Sequence, residues 1–329
     1  MQEHLVPSLD MDLRLAARRE EARGIVSFEL VHPQGRMLPP FEAGAHILVQ
    51  AAPGIARAYS LCNDPSERHR YLIGVLRTPD SRGGSAGLHD ALHAGMVVRT
   101  SGPRNAFALA PAAGRSILLG GGIGITPLLA MAAHLAATQA DFVLHYCTRD
   151  AARTAFAGHI AQAPYARQVR WHRDDGPHAQ RFDAAQALGR PTPGTHVYVC
   201  GPAGFMAHAM STAAGLGWPA SQLHSEYFTP PEPPAGAPAA DAVFDLVLAS
   251  SGRRIAVGTG QSAAQALQEA GVPLVMSCEQ GICGTCVTTV LQGTPDHRDH
   301  YLTDEDRQRN DCFMPCRSRA LSAELVIDL

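Results

Sequence analysis

Three cysteines crowd into "SCEQGICGTC", residues 277–286, in a chain that has eight in all. Cys278, Cys283 and Cys286 read C-x4-C-x2-C, the plant-type spacing for three ligands of a [2Fe–2S] cluster, with a fourth thiolate arriving from further along. Two later cysteines can supply it, Cys312 and Cys316 in "DCFMPCRSRALS". Structural zinc also takes four thiolates, but mostly from paired C-x2-C knuckles, and the x4 gap fits an iron–sulfur loop better. Gly281 and Gly284 allow backbone N–H groups to turn toward sulfur.

Other segments carry chemistry of a different kind. In "ARAYSL", residues 56–61, an Arg can pair with phosphate, a Tyr can pack on an aromatic cofactor and a Ser can hydrogen-bond a flavin nitrogen. "SRGGSAGLHD", residues 81–90, sets a Gly-rich loop before a helical segment, where backbone amides can hold a terminal phosphate. "LLGGGIGITPLL" leaves a strand and opens a helix, with Thr126 expected as N-cap and Pro127 as the first helical residue. Its freed N–H groups would face a pyrophosphate. "VCGPAGF" ends a later strand at Cys200, Gly201 and Pro202. Asp150 follows the strand "DFVLHYC", where an acid would bond ribose hydroxyls and repel a 2′-phosphate; its neighbour Arg149 argues the other way.

These segments need elements to position them. Up to residue 111, strand-like runs such as "GIVSFELVH", "AHILVQAAPG", "YLIGVLRT" and "MVVRTSGP" alternate with turns, which indicates an antiparallel β-barrel. Over 112–228, strands alternate with helices, the pattern of an α/β parallel sheet that binds nucleotides. "TPPEPPAGAPAA", residues 229–240, has five prolines in twelve positions and reads as an extended linker. Residues 241–329 hold a strand hairpin, "FDLVLASSGRRIAV", an amphipathic helix, "SAAQALQEAG", and a closing strand. That set suits an α+β β-grasp ferredoxin domain.

Composition narrows the function classes. The 329 residues are 46% hydrophobic and 17% charged, with net charge −3 and no basic run, so a nucleic-acid partner is not expected. All 27 basic residues are Arg. Charge is uneven: residues 241–329 carry 7 Arg against 12 acids, a net −5, and the preceding 240 carry 20 against 18, a net +2. The uncharged stretch 116–137 is long enough for a membrane span, but three consecutive glycines and Pro127 divide it into strand, turn and helix. A cytoplasmic protein without membrane association is expected, its cysteines serving as ligands or buried thiols.

In their order, "RAYSLCND", "RGGS", "GGGIGITPLLAM", "YVCGPAGFM", "HSEYF", "CEQGICGTC", "DHRD" and "SRALSAELVIDL" resemble the phthalate dioxygenase reductase family, over essentially the whole chain. The resemblance implies an FMN barrel, an NADH domain and a [2Fe–2S] domain. It implies that Arg57 contacts the FMN phosphate, Tyr59 the ring and Ser60 the N5 region. It puts the phosphate loop on Arg82, Gly83, Gly84 and Ser85, and the pyridine-nucleotide turn on Gly121, Gly122, Gly124 and Thr126. Cys200, Gly201 and Pro202 would lie near the nicotinamide, and Phe228 near the flavin. The Met-x-Cys-x-Ser-Arg-Ala context selects Cys316 as the fourth cluster ligand, leaving Cys312 as an extra thiol. The implied activity is that of an NADH-dependent iron–sulfur flavoprotein oxidoreductase. It would be the reductase component of a Rieske-type aromatic oxygenase or O-demethylase, acting as a monomer on a separate oxygenase. An FAD-dependent reductase of a different oxygenase system and a zinc-stabilised binding module are the alternatives.

Overall fold

The computed structural model describes residues 9–52, 55–78, 83–111, 113–229 and 242–329, apart from the side chains of 179 and 304. The chain divides into two compact units, one of them Leu9–Phe228 and the other containing Thr229–Leu329. Except for Thr229, the Pro-rich segment 229–240 lies outside the described residues.

The first unit opens with β1 (Met11–Ala22), β2 (Ile25–Val31), β3 (Ala45–Ala52), β4 (Ile55–Ser60) and β5 (Tyr71–Leu76). Helix α1 (Gly84–Ala91), β6 (Val97–Thr100) and the short β7 (Arg104–Asn105) follow. The strands pair antiparallel in the order β4-β3-β6-β1-β2-β5, and a Leu61–Ile73 bridge joins the two ends into a barrel. Alternate residues point inward, as strand geometry requires. Leu13, Leu15, Phe28, Leu30, Ile47, Val49, Tyr71, Ile73 and Val75 are all buried there. Each is worth about 1.5–3 kcal/mol relative to exposure.

The same unit continues with β8 (Arg115–Gly121), α2 (Ile125–Ala137), β9 (Asp141–Thr148), α3 (Ala157–Gln162) and β10 (Val169–Arg173). After them come α4 (Ala184–Leu188), β11 (Thr195–Cys200), α5 (Ala203–Gly215) and β12 (Leu223–Glu226). All five strands are parallel, in the order β10-β9-β8-β11-β12. Strand β8 is apolar on both sides because both sides are covered. Leu118 faces the α2 side, whereas Ile117 and Leu119 pack with Met206, Ala209 and Ala213 of α5. Among the described residues no helix is long and apolar enough to cross a membrane. The uncharged stretch is β8, a tight turn over Gly122–Gly124 and α2.

One hydrophobic core runs through barrel and parallel sheet together. The Phe107 ring meets Tyr198 edge-on at 5.9 Å, and the Ala110 N–H donates to the Tyr198 hydroxyl at 2.7 Å. Gly74 of β5 lies so close to α2 that a Cβ there would stand 2.8 Å from the Thr126 methyl. The change of element type after residue 111 is therefore not a break in packing.

The second unit holds β13 (Phe244–Leu248), β14 (Arg254–Val257), α6 (Ala263–Glu269), β15 (Thr288–Gln292) and β16 (Pro295–Asp296). Helix α7 (Asp304–Arg309), β17 (Cys312–Phe313), β18 (Arg319–Ala320) and β19 (Glu324–Ile327) complete it. The main sheet runs β14-β13-β19-β15-β17. Ser262 and Gln265 form a capping box that starts α6. Its Ala263, Ala266 and Leu267 are buried with Phe244, Leu246, Val257, Leu325 and Ile327. A sheet gripping one helix is the β-grasp layout.

Candidate functional site

At the barrel rim, β4 carries Arg57, Tyr59 and the buried Ser60. The Arg57 stem lies across the start of α1: a Cβ on Gly84 would stand 2.8 Å from Arg57 Cγ, so glycine is needed for the approach. Gly83 caps the helix in the left-handed region, at φ 83°. Ser85 Oγ stands 2.9 Å from Thr78 Oγ1 and 3.2 Å from its N–H, tying the loop back to the barrel. Arg57 and the Gly83–Ser85 turn are thus brought together. Arg82 lies outside the described residues. Burial pushes the Tyr59 hydroxyl pKa up, so that residue stays neutral. His46 is paired opposite Ser60 across β3 and β4. Desolvation, and then Arg104, lower its pKa to about 4.

The carboxyl ends of β8 and β11 meet at the point where strand order reverses, the usual crevice of an open parallel sheet. The two turns touch through glycine backbone. A Cβ on Gly124 would fall 2.3 Å from the Cys200 carbonyl oxygen and 2.5 Å from Gly201 N. One on Gly121 would fall 3.0 Å from the Pro202 ring. Gly122 adopts φ 54° facing open space. Gly121, Gly122 and Gly124 are therefore brought against Cys200, Gly201 and Pro202. Thr126 is not the N-cap. The 3-10 turn over Gly122–Gly124 starts the helix early, Gly124 takes the cap position, and the Thr126 hydroxyl donates to Ile123 O at 3.0 Å. Pro127 correspondingly stands third in the helix rather than first.

Glu226, at the end of β12, is a functional candidate that sequence reading missed. It pairs in register with Cys200, and its Oε2 accepts a hydrogen bond from Ser60 Oγ at 3.2 Å. Barrel and nucleotide sheet are thereby joined at the site by one polar contact. Although the residue keeps some exposed surface, its packed surroundings push the carboxyl pKa up to about 8, with the Ser60 bond pulling weakly the other way. Burial, and then Glu226, raise the Cys200 thiol pKa. Phe228 is 38% exposed just beyond the strand.

Asp150 follows β9 and is ion-paired with Arg153. Its other oxygen, Oδ1, is buried with no partner among the described residues, leaving an acceptor free. Beside it, at the ends of β9 and β10, lies a cavity of about 390 Å³ lined by Ala151, Thr154, Ala157, Trp171, Arg173 and Gln180. Arg149 is exposed.

In the second unit the thiols come together in two pairs. Cys278 is in hydrogen-bonding contact with Cys283, and Cys286 with Cys316. The contact from Cys278, helped by Thr285, lowers the Cys283 pKa and favours its thiolate. Among the described residues no three side chains converge on a point suited to one metal ion. Two pairs suit a binuclear cluster in which each iron takes two of four thiolates. Cys312 is fully buried on β17, and burial raises its pKa to about 12. Gly281 and Gly284 hold φ 73° and 70°, and the Tyr301 ring lies against Gly284 so closely that a Cβ would stand 2.1 Å from Cζ. The Asp299 carboxylate secures that cover, accepting from Tyr301 N, Leu302 N and Ser318 Oγ at 2.8–3.1 Å.

Comparison with known proteins agrees with this geometry. The model of the 2Fe-2S iron-sulfur cluster binding domain matches residues 246–321. The chain is 48% identical over 322 residues to a vanillate O-demethylase oxidoreductase of Pseudomonas sp. (strain HR199 / DSM 7063), covering 97% of this chain and 100% of that one. It is 40% identical over 318 residues to the phthalate dioxygenase reductase of Burkholderia cepacia, covering 96% and 97%. Among solved structures, a phthalate dioxygenase reductase, described as modular for electron transfer from pyridine nucleotides to [2Fe-2S], superposes with a TM-score of 0.70. It is 40% identical and covers 97% of this chain and 98% of its own.

Proposed function

The chain belongs to the phthalate dioxygenase reductase family, and from this we infer that it passes electrons from NADH through FMN to its own [2Fe–2S] cluster and on to a separate Rieske-type oxygenase. The observation that carries the reading is the Ser60–Glu226 hydrogen bond, which brings the barrel's cofactor strand to the crevice of the nucleotide sheet. When bound, the flavin supplies two-electron acceptance from nicotinamide and one-electron release to the cluster.

The protein's own residues bind, orient and shield. Arg57 and the amides of Gly83–Ser85 hold a terminal phosphate, and Tyr59 covers the ring system beside Ser60. One short cationic cradle fits the single phosphate of FMN, and FAD needs an additional adenine site. The Gly121–Gly124 turn holds the pyrophosphate of NADH, with Cys200, Gly201 and Pro202 beside the nicotinamide and Phe228 near the flavin. Thr126 supports the turn through its bond to Ile123. The free oxygen of Asp150 accepts from ribose hydroxyls next to the 390 Å³ cavity and disfavours a 2′-phosphate, which favours NADH over NADPH. Cys278 and Cys283 hold one iron, and Cys286 and Cys316 the other.

The experiment is a truncation ending before Thr229, assayed with NADH. The shortened protein should reduce ferricyanide at the full-length rate and no longer support product formation by an oxygenase. If it drives the oxygenase as well as the full chain does, the cluster is not the exit for electrons. Extraction of FAD instead of FMN from the purified protein would overturn the flavin assignment alone.

A further inference from the structure

Two pairs of histidines bridge neighbouring parallel strands, His145–His172 between β9 and β10 and His196–His224 between β11 and β12. In each, Nδ1 of one ring stands 2.9 Å from Nε2 of the other, and the ring centres are 5.2 Å apart. The N···N separation and the distance from each ring centre to its nitrogen together make up the span between centres, so the rings meet edge to edge in an N–H···N hydrogen bond. The second pair bears on the reaction site. His224 also lies flat on Tyr198, with ring centres 4.7 Å apart and planes within 13°. Tyr198 in turn meets Phe107 and accepts from Ala110 N–H, both from the segment between barrel and sheet.

Strand β12 depends on such ties. It is four residues long, lies at the sheet edge with β11 as its only neighbour among the described strands, and none of its residues is fully buried. Residues two apart on a strand share a face. His224 and Glu226 therefore project together, opposite Tyr198 and Cys200 respectively. We propose that His224 is a positioning residue: its hydrogen bond to His196 seats β12 so that Glu226 meets Ser60. The inference rests on the reading of Ser60 and Glu226 as part of the hydride-transfer site, and concerns the contact between them rather than the flavin's identity.

The titration of Glu226 reports the seating of β12, because burial raises its pKa and outweighs the opposing Ser60 bond. The groups facing it are the Ser60 hydroxyl from β4 and the Cys200 thiol from β11. In the full-length protein, the carboxylic acid C=O stretch in infrared difference spectra, identified by its loss in Glu226→Gln, should titrate near pH 8. His224→Phe keeps a ring on Tyr198 and removes the hydrogen bond. It should loosen β12, hydrate the carboxyl and shift the midpoint down by about one pH unit or more, a roughly tenfold change in ionisation constant. His224→Gln places an amide nitrogen where Nε2 was and should restore the midpoint. His196→Leu, which leaves β12 itself unaltered, should reproduce the shift and guards against a His224 variant that fails to fold. An unchanged midpoint in His224→Phe and His196→Leu overturns the proposal. A shift that Gln does not rescue also overturns it, by assigning the effect to packing. Flavin content and nucleotide oxidation measured alongside test the functional reading separately.

Discussion

Replacing Gly124 by Ala tests whether the crossing of the two nucleotide turns is the feature on which hydride transfer depends. Gly124 sits at φ −63°, ordinary for any residue, so the substitution introduces no backbone strain of its own. The added Cβ instead lands 2.3 Å from Cys200 O, 2.4 Å from Cys200 C and 2.5 Å from Gly201 N. All three atoms are backbone, and no rotamer change can relieve the contact. The turns must separate by about 1 Å to reach ordinary van der Waals distance, an overpacking cost of roughly 1–3 kcal/mol. For a unit of this size that lowers the melting temperature by about 3–10 °C. Function should suffer more. A 1 Å displacement of a positioning group costs about 10²-fold in rate, so kcat/KM for NADH-driven ferricyanide reduction should fall by about that factor. Two further substitutions separate the causes. Gly204→Ala, in the first turn of α5 with nothing within 4 Å, should leave both readouts unchanged. Gly122→Ala, at φ 54° in open space, should cost about 1–2 kcal/mol of stability from left-handed strain without closing the crevice. If Gly124→Ala matches Gly204→Ala in both melting and kcat/KM, the turn crossing does not position the nucleotide.

Cys316→Ala should abolish the visible absorbance of the cluster, whereas Cys312→Ala should retain it, because Cys316 is in hydrogen-bonding contact with Cys286 and Cys312 is a buried thiol on β17. Arg57→Ala should raise the flavin Kd about ten- to 150-fold, the loss of a charge-assisted bond worth roughly 1.5–3 kcal/mol, as read by fluorescence during dilution. Glu226→Gln should change how stability depends on pH. With a folded-state pKa near 8 against the ordinary 4.5, native Glu226 keeps its proton where the unfolded chain loses it, so its presence lowers stability progressively from pH 4.5 to 8. The full shift corresponds to a ceiling on the order of 5 kcal/mol; with partial exposure we expect about 2 kcal/mol of gain for Gln over Glu at about pH 9 relative to pH 5, from thermal unfolding of the full chain. Parallel curves for the two proteins would show that the carboxyl is solvated.

Much of the architecture is visible in local patterns. Alternating strand–turn runs, the strand–helix alternation and the C-x4-C-x2-C spacing each encode their element within a few tens of residues. Contacts that depend on register are not visible. Glu226 in "HSEYF" has no motif of its own, and becomes a site residue only because β12 pairs with β11 and the crevice faces Ser60. The histidine partners are 27 and 28 residues apart, with nothing in their surroundings to link them. Thr126 followed by Pro resembles an N-cap, but three glycines allow a tight turn that begins the helix earlier. The core shared by barrel and parallel sheet is equally hidden, since composition changes at residue 111 and packing does not.

The place of β19 in the second sheet has a consequence for synthesis on the ribosome. It is the last strand of its sheet to emerge, yet it lies at the centre, between β13 and β15. Thirty-one residues separate the end of β15 from its start, roughly 2–6 s at typical translation rates. During that interval β13 and β15 present open edges, which are templates for pairing with other chains. Cys316, the proposed fourth ligand, likewise emerges after the thiols of Cys278, Cys283 and Cys286. In the unit of Leu9–Phe228 the parallel sheet closes differently, its last strand, β12, joining at an edge, whereas the barrel shares the late insertion, β6 entering between β3 and β1. Slowing translation between residues 293 and 323 should therefore increase aggregation during expression.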